Sequence, residues 1–96
     1  MKVRWTARAE SDLSVVFHDI AADNLGAAVR LQDRLVEAAE GLVDFPLRGR
    51  TGRLASTREL AISGTRYLAV YSLDADTVWI LHLLDGAQDW PPTKGS

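Results

Sequence analysis

Tyr67-Leu-Ala-Val-Tyr-Ser-Leu73, Asp74-Ala-Asp76 and Thr77-Val-Trp-Ile-Leu-His-Leu-Leu84 form the stretch on which the reading of the fold turns. The two flanking segments are rich in aromatic and branched residues. A short polar turn joins them, so they read as an antiparallel β-hairpin. The second segment is apolar in both phases. Strict alternation places Val78, Ile80, His82 and Leu84 on one side, and Trp79, Leu81 and Leu83 on the other. A strand buried on one side alone would alternate with polar residues. This strand is therefore expected to be central, with helices on one face and a dimer mate, a partner peptide or the C-terminal tail on the other.

Upstream of the hairpin, Leu60 and Ile62 alternate with Glu59 and Ala61, and Ser63-Gly64 reads as a turn. The segment Pro46–Ser56 (PLRGRTGRLAS) holds a proline, two glycines and three arginines and reads as a loop. Before it lie two amphipathic patterns. Leu13, Val16, Phe17 and Ile20 fall on one helical face, with Thr6 as its N-cap. Ala28, Leu31, Leu35, Ala38 and Leu42 fall on another, with Asn24 as N-cap and Pro46 as the stop. Arg30 is placed to reach Asp33, and Arg34 to reach Glu37. The brief break near Asp23 implies an αα-hairpin. Val3 and Trp5, alternating with Lys2 and Arg4, read as a first strand at an edge or beside the last strand. The expectation is an α+β fold of order β-α-α-β-β-β, a helical hairpin packed on a small antiparallel-rich sheet. One domain is expected over residues 1–91, with 92–96 as a flexible tail.

The 96-residue chain suits one domain with one modest core. It has no cysteine, which excludes disulfides, thiolate metal sites and thiol nucleophiles. No metal or cofactor is expected. The N-terminus shows no signal-peptide run, and the apolar runs are far shorter than the roughly 20 residues of a membrane helix, so a cytoplasmic protein is expected. Net charge is only −2, yet the segment 48–66 carries Arg48, Arg50, Arg53, Arg58 and Arg66 against Glu59, a local net of +4. That pattern fits a solvated loop paired internally, or a surface facing an acidic partner.

Six strings, in order, carry a resemblance: W-x-x-x-A-x-x-D-L at Trp5, Ala9, Asp12 and Leu13; D-N-x-x-A-A at Asp23 to Ala28; P-x-x-G-R-x-G at Pro46 to Gly52; T-R-E-L at Thr57 to Leu60; Y-x-x-x-Y at Tyr67 and Tyr71; and G-A-Q-D-W-P at Gly86 to Pro91. Together they span nearly the whole chain, which resembles the ParE-type toxins of the RelE/ParE toxin–antitoxin superfamily. The resemblance implies a growth-arresting toxin that inhibits DNA gyrase by protein–protein contact and is neutralised by a cognate antitoxin. The antitoxin would lay an amphipathic segment on exposed apolar surface. Homo-oligomers or toxin–antitoxin hetero-oligomers fit the same resemblance. No membrane or sequence-specific nucleic-acid partner is implied. The partner-facing residues expected on this basis are Arg48, Arg50, Arg53, Arg58, Arg66, Tyr67, Tyr71, Trp79, Gln88 and Trp90, with Trp90 as either a clamp on the sheet or a partner-facing anchor.

The alternatives are a RelE-like ribosome-dependent mRNA endonuclease and an inactive, non-toxic binding relative. RNA cleavage needs a base, a cation for the phosphorane and an acid for the leaving oxygen. Leu68 stands where the ribonuclease branch places an arginine, and Asp85 where the family typically has histidine. Arg66 stands where proline is frequent. A residual set of Arg58, Glu59 and His82 is conceivable, but Arg58 and Glu59 alternate across a strand and face opposite sides of the sheet. The expected mode of action is contact without catalysis.

Overall fold

A computed structural model describes residues 1–92; the expected tail, Pro92 apart, lies outside the described residues. The elements are β1 (Lys2–Trp5), α1 (Ala7–Ala21), α2 (Leu25–Glu40), a 3-10 turn (Gly41–Val43), β2 (Arg50–Thr51), β3 (Arg58–Ala61), β4 (Tyr67–Leu73) and β5 (Thr77–Asp85). They form a five-stranded mixed sheet of order β1-β5-β4-β3-β2, with the helical hairpin on one face. This is the expected α+β architecture with one addition. The arginine loop contains β2, two residues paired antiparallel with β3 at Arg50↔Glu59 and Thr51↔Arg58.

Both N-caps act as their chemistry dictates. The Thr6 hydroxyl accepts the Ala9 N–H at 3.1 Å, and the Asn24 side-chain oxygen accepts the Ala27 N–H at 2.9 Å. The second helix stops earlier than Pro46: α2 ends at Glu40 and tightens into the 3-10 turn. Arg34 donates its Nε–H to the Ser63 carbonyl at 2.8 Å, tying α2 to the β3–β4 turn, where Gly64 takes a φ of +76°.

β1 is an edge strand and pairs parallel with β5, which makes β5 central as expected. The expected alternation along β5 holds only for its first half. Val70 pairs with His82 and Tyr71 with Ile80, so Leu81 has no opposite residue and forms a β-bulge. The bulge shifts the phase by one residue. Val78, Ile80 and then Leu83 pack into the helix-side core, while Leu84 lies on the other face with His82. The cause is at the strand edge. Where β1 ends, α1 takes over: the Thr6 hydroxyl donates to the Leu81 carbonyl at 3.1 Å, and Asp12 Oδ2 accepts the Leu83 N–H at 3.1 Å. The core joins Ala9, Leu35, Ala39 and Leu42 of the helical layer to Leu60, Ala69, Tyr71, Val78, Ile80 and Leu83 of the sheet.

No helix of the described chain is long and apolar enough to cross a membrane.

Candidate functional site

Cross-strand partners share a face of a sheet. The face turned away from the helices therefore carries Glu59, Val70 and His82 in one row and Ala61, Leu68 and Leu84 in another. Val70 and Leu84 are buried there, although neither belongs to the helix-side core.

Glu59 is the centre of this face, only 2% exposed. Its Oε1 accepts Arg50 Nη2 and Arg53 Nη2, each at 2.9 Å, and its Oε2 accepts the Arg53 backbone N–H at 2.8 Å. The Arg53 hydrogen bonds outweigh desolvation, with help from Arg50, and hold the Glu59 carboxyl at about 2. Arg53 is pushed the opposite way, upward, chiefly by the same hydrogen bond. A carboxylate this acidic is a weak general base near neutrality. It acts instead as a clasp closing the loop from Arg50 to Arg53 onto β3.

The helix side closes the rest of the loop. Tyr71 is fully buried. Its hydroxyl donates to the Pro46 carbonyl at 2.7 Å and accepts the Gly49 N–H at 2.9 Å. A Cβ at Gly49 would stand 2.7 Å from the Tyr71 ring and hydroxyl, so only glycine fits this approach. Arg58 donates to the Gly49 carbonyl at 2.8 Å and does not join Glu59. The register places Arg58 beside Tyr71 and Glu59 beside Val70, on opposite faces as strand geometry requires. His82 shares the face of Glu59 but lies two strands away, roughly 10 Å by strand spacing. The structure does not bring Arg58, Glu59 and His82 together.

His82 instead meets Asp12 and Trp90. Its Nδ1 lies 3.6 Å from Asp12 Oδ2, and its ring centroid lies 4.8 Å from that of Trp90. Trp90 thus packs back onto the sheet as a clamp. Asp85 accepts Arg66 Nε at 2.9 Å and caps the following turn by accepting the Ala87 N–H at 3.0 Å. Arg66 also lies 5.7 Å over the Tyr67 ring.

The sequence-predicted contact residues therefore divide. Arg48, Arg50, Arg53, Arg66 and Gln88 are exposed, and Arg58, Tyr67, Trp79 and Trp90 are half-buried. Tyr71, expected to face a partner, is interior and secures the loop. Sequence reasoning passed over Phe45 and Leu47, which are 58% and 64% exposed beside Arg48. The available signal was an apolar Phe-Pro-Leu run opening an otherwise polar, glycine- and arginine-rich loop. A hollow of about 430 Å³ lies between the helices, with Trp5, Leu13, Phe17 and Val36 in its lining. Among the described residues no group of three His, Asp or Glu side chains is placed to hold a metal ion.

The model of the family described as the ParE toxin of the type II toxin–antitoxin system parDE matches residues 3–90. The chain belongs to the ParE toxin family. It is 37% identical over 90 residues, 94% of this chain and 93% of the other, to the Sinorhizobium fredii protein named "Putative toxin Y4kP". It is also 36% identical over 73 residues, 76% of this chain and 82% of the other, to Toxin RelE2 of Caulobacter vibrioides. In fold it resembles a chain of the chromosomal ParDE system of P. aeruginosa, with a TM-score of 0.77, 22% identity and coverage of 86% of this chain and 92% of that one. The ParE-type arrangement of helical hairpin and mixed sheet accounts for the motif order. Trp5 ends β1 and packs against the helix-side core, Asp12 and Asn24 tie down the two helices, the P-x-x-G-R-x-G loop docks on Tyr71, and the closing tryptophan packs against His82. The protein is a ParE-family toxin of a type II toxin–antitoxin system.

Proposed function

We propose that this ParE-family toxin acts in the cytoplasm by binding DNA gyrase and arresting growth, and that it works by contact without chemistry. The observation that supports this most is the fate of the charged groups that cleavage would need. Glu59 is held ionised by Arg50 and Arg53, Arg58 is turned to the other face, and Leu68 occupies the position where the ribonuclease branch has arginine. A site committed to internal ion pairs and carbonyls has no cation poised for a phosphorane. The surface does have what a protein partner uses, namely exposed arginines and an aromatic beside them.

A cognate antitoxin is the second partner. The hollow between α1 and α2, with its apolar Trp5, Leu13, Phe17 and Val36, suits the apolar face of an amphipathic antitoxin segment.

The test is gyrase supercoiling of relaxed plasmid, titrated with the toxin and then with antitoxin. The expected outcome is lost supercoiling or trapped cleaved DNA, reversed by antitoxin. A preparation that arrests cells yet leaves gyrase untouched at micromolar concentration overturns the proposal. The similarity to Toxin RelE2 makes ribosome-dependent mRNA cleavage the second reading, and the same preparation on translating ribosomes distinguishes the two.

A further inference from the structure

Phe45, Pro46 and Leu47, beyond the end of the helical layer, form an apolar patch at the surface with Asp44 and Arg48 beside it. Exposure of two large apolar side chains on either side of Pro46 is a feature to be explained, since a small domain gains by burying them. The patch is tied to the rest of the fold by hydrogen bonds. The Phe45 N–H donates to the Gly41 carbonyl at 3.2 Å, and the Arg48 N–H donates to the Phe45 carbonyl at 3.1 Å. The Tyr71 hydroxyl holds the Pro46 carbonyl from beneath, and Arg58 reaches the Leu47 carbonyl at 3.5 Å. The Arg48 guanidinium lies 4.6 Å above the Phe45 ring, so a cation and an aromatic are presented together.

Arg48 also borders a second hollow. This opening of about 570 Å³ is lined by Gly49, Arg50, Glu59, Leu60, Ala61 and Leu68 besides Arg48. It exists because β2 stops at Arg50↔Glu59, leaving Ala61 with no strand on its outer side among the described residues. Arg50 spends one edge of its guanidinium on Glu59, and its side chain remains 66% exposed. An exposed aromatic with arginines beside it has the aromatic-and-arginine character of an interface hot spot. A loop already held by hydrogen bonds has less ordering cost to meet on binding.

We infer that the Phe45–Leu47 patch and its Arg48–Arg50 rim form the surface by which the toxin grips its target, and that the matching face of gyrase is apolar and bordered by carboxylates. The occupant is set by charge. Residues 44–59 carry Arg48, Arg50, Arg53 and Arg58 against Asp44 and Glu59, net +2, while the rest of the chain is net −4 and Arg66 is paired with Asp85 away from this edge, so an acidic surface is steered here and repelled from the rest. The inference rests on the gyrase-contact reading above. It separates the target surface from the inter-helix hollow assigned to antitoxin.

Supercoiling inhibition is measured for wild-type toxin, for the double variant Phe45→Ser/Leu47→Ser, for Arg48→Glu, and for Leu25→Ser as a control at a comparably exposed apolar residue on α2. Thermal melts check that each is folded, and sedimentation gives the mass. The double variant and Arg48→Glu are expected to need roughly tenfold or more protein for equal inhibition, with Leu25→Ser matching wild type. A double variant as potent as wild type overturns the inference while leaving the gyrase reading intact, and so does an equal loss in Leu25→Ser. A wild-type dimer that the double variant converts to monomer gives the surface to a second copy and likewise overturns it. A wild-type toxin without effect on supercoiling removes the contact reading, and the surface assignment with it.

Discussion

Replacing Glu59 by glutamine is expected to loosen the arginine loop and destabilise the fold, by an amount that follows from the carboxyl's environment. The group is 2% exposed, and its pKa is brought from the ordinary 4.5 down to about 2 by Arg53 first and then Arg50. A pKa lowered in the folded state contributes stability above the unfolded pKa, and that stability is lost as pH falls through the folded one. The window here runs from about 4.5 down to about 2. A gap of this size corresponds to about 3 kcal/mol at pH 7 and to about 1 kcal/mol at pH 3, vanishing below pH 2. Glutamine keeps the shape and one acceptor oxygen but not the charge, so Glu59→Gln is expected to unfold more easily by about 2–3 kcal/mol at neutral pH. In a domain of this size that lowers Tm by roughly 10–20 °C. The assay is urea unfolding of both proteins at pH 7, 5 and 3, with amide exchange over residues 46–53. The stability gap should narrow steadily toward pH 3, and loop amides should exchange faster in the variant. A gap below about 0.5 kcal/mol at pH 7, or one independent of pH, refutes the clasp.

Tyr71→Phe removes the hydroxyl shared by Pro46 and Gly49, leaving a buried carbonyl and N–H unsatisfied; the expected loss in denaturant unfolding is about 1–3 kcal/mol. Gly49→Ala forces a methyl against the Tyr71 ring and is expected to destabilise by at least as much, about 1–3 kcal/mol in the same assay. Thr6→Ala loses both the Ala9 cap and the bond to Leu81, for about 1–2 kcal/mol by thermal melt. Asp85→His removes an exposed pair with Arg66, so stability changes by about 1 kcal/mol or less. No mRNA cleavage should appear in a ribosome assay of Asp85→His, because Leu68 still stands where the arginine would be.

Local signals in the chain determined the elements themselves. Thr6 and Asn24 start helices because a side-chain oxygen beside a free N–H is a nearest-neighbour matter. The apolar stripe Ala28, Leu35 and Leu42 and the β4–β5 hairpin follow from periodicities of a few residues. The motif order was enough to reach the ParE family. What only the tertiary structure decided were matters of contact between distant segments. The Leu81 bulge arises because α1 supplies Thr6 and Asp12 to the edge of β5, about seventy residues further along the chain. No period within β5 encodes that, so alternation misplaced His82, Leu83 and Leu84. Tyr71 is expected from the sequence to face a partner, but Pro46 and Gly49 use its hydroxyl in the interior. The arginines of 48–66 had one reading as free cations and another as paired ones. Glu59 settled it for Arg53 and in part for Arg50, because a carboxylate at 2% exposure must be met by charge, and pairing across β2 and β3 is what brings those cations to it.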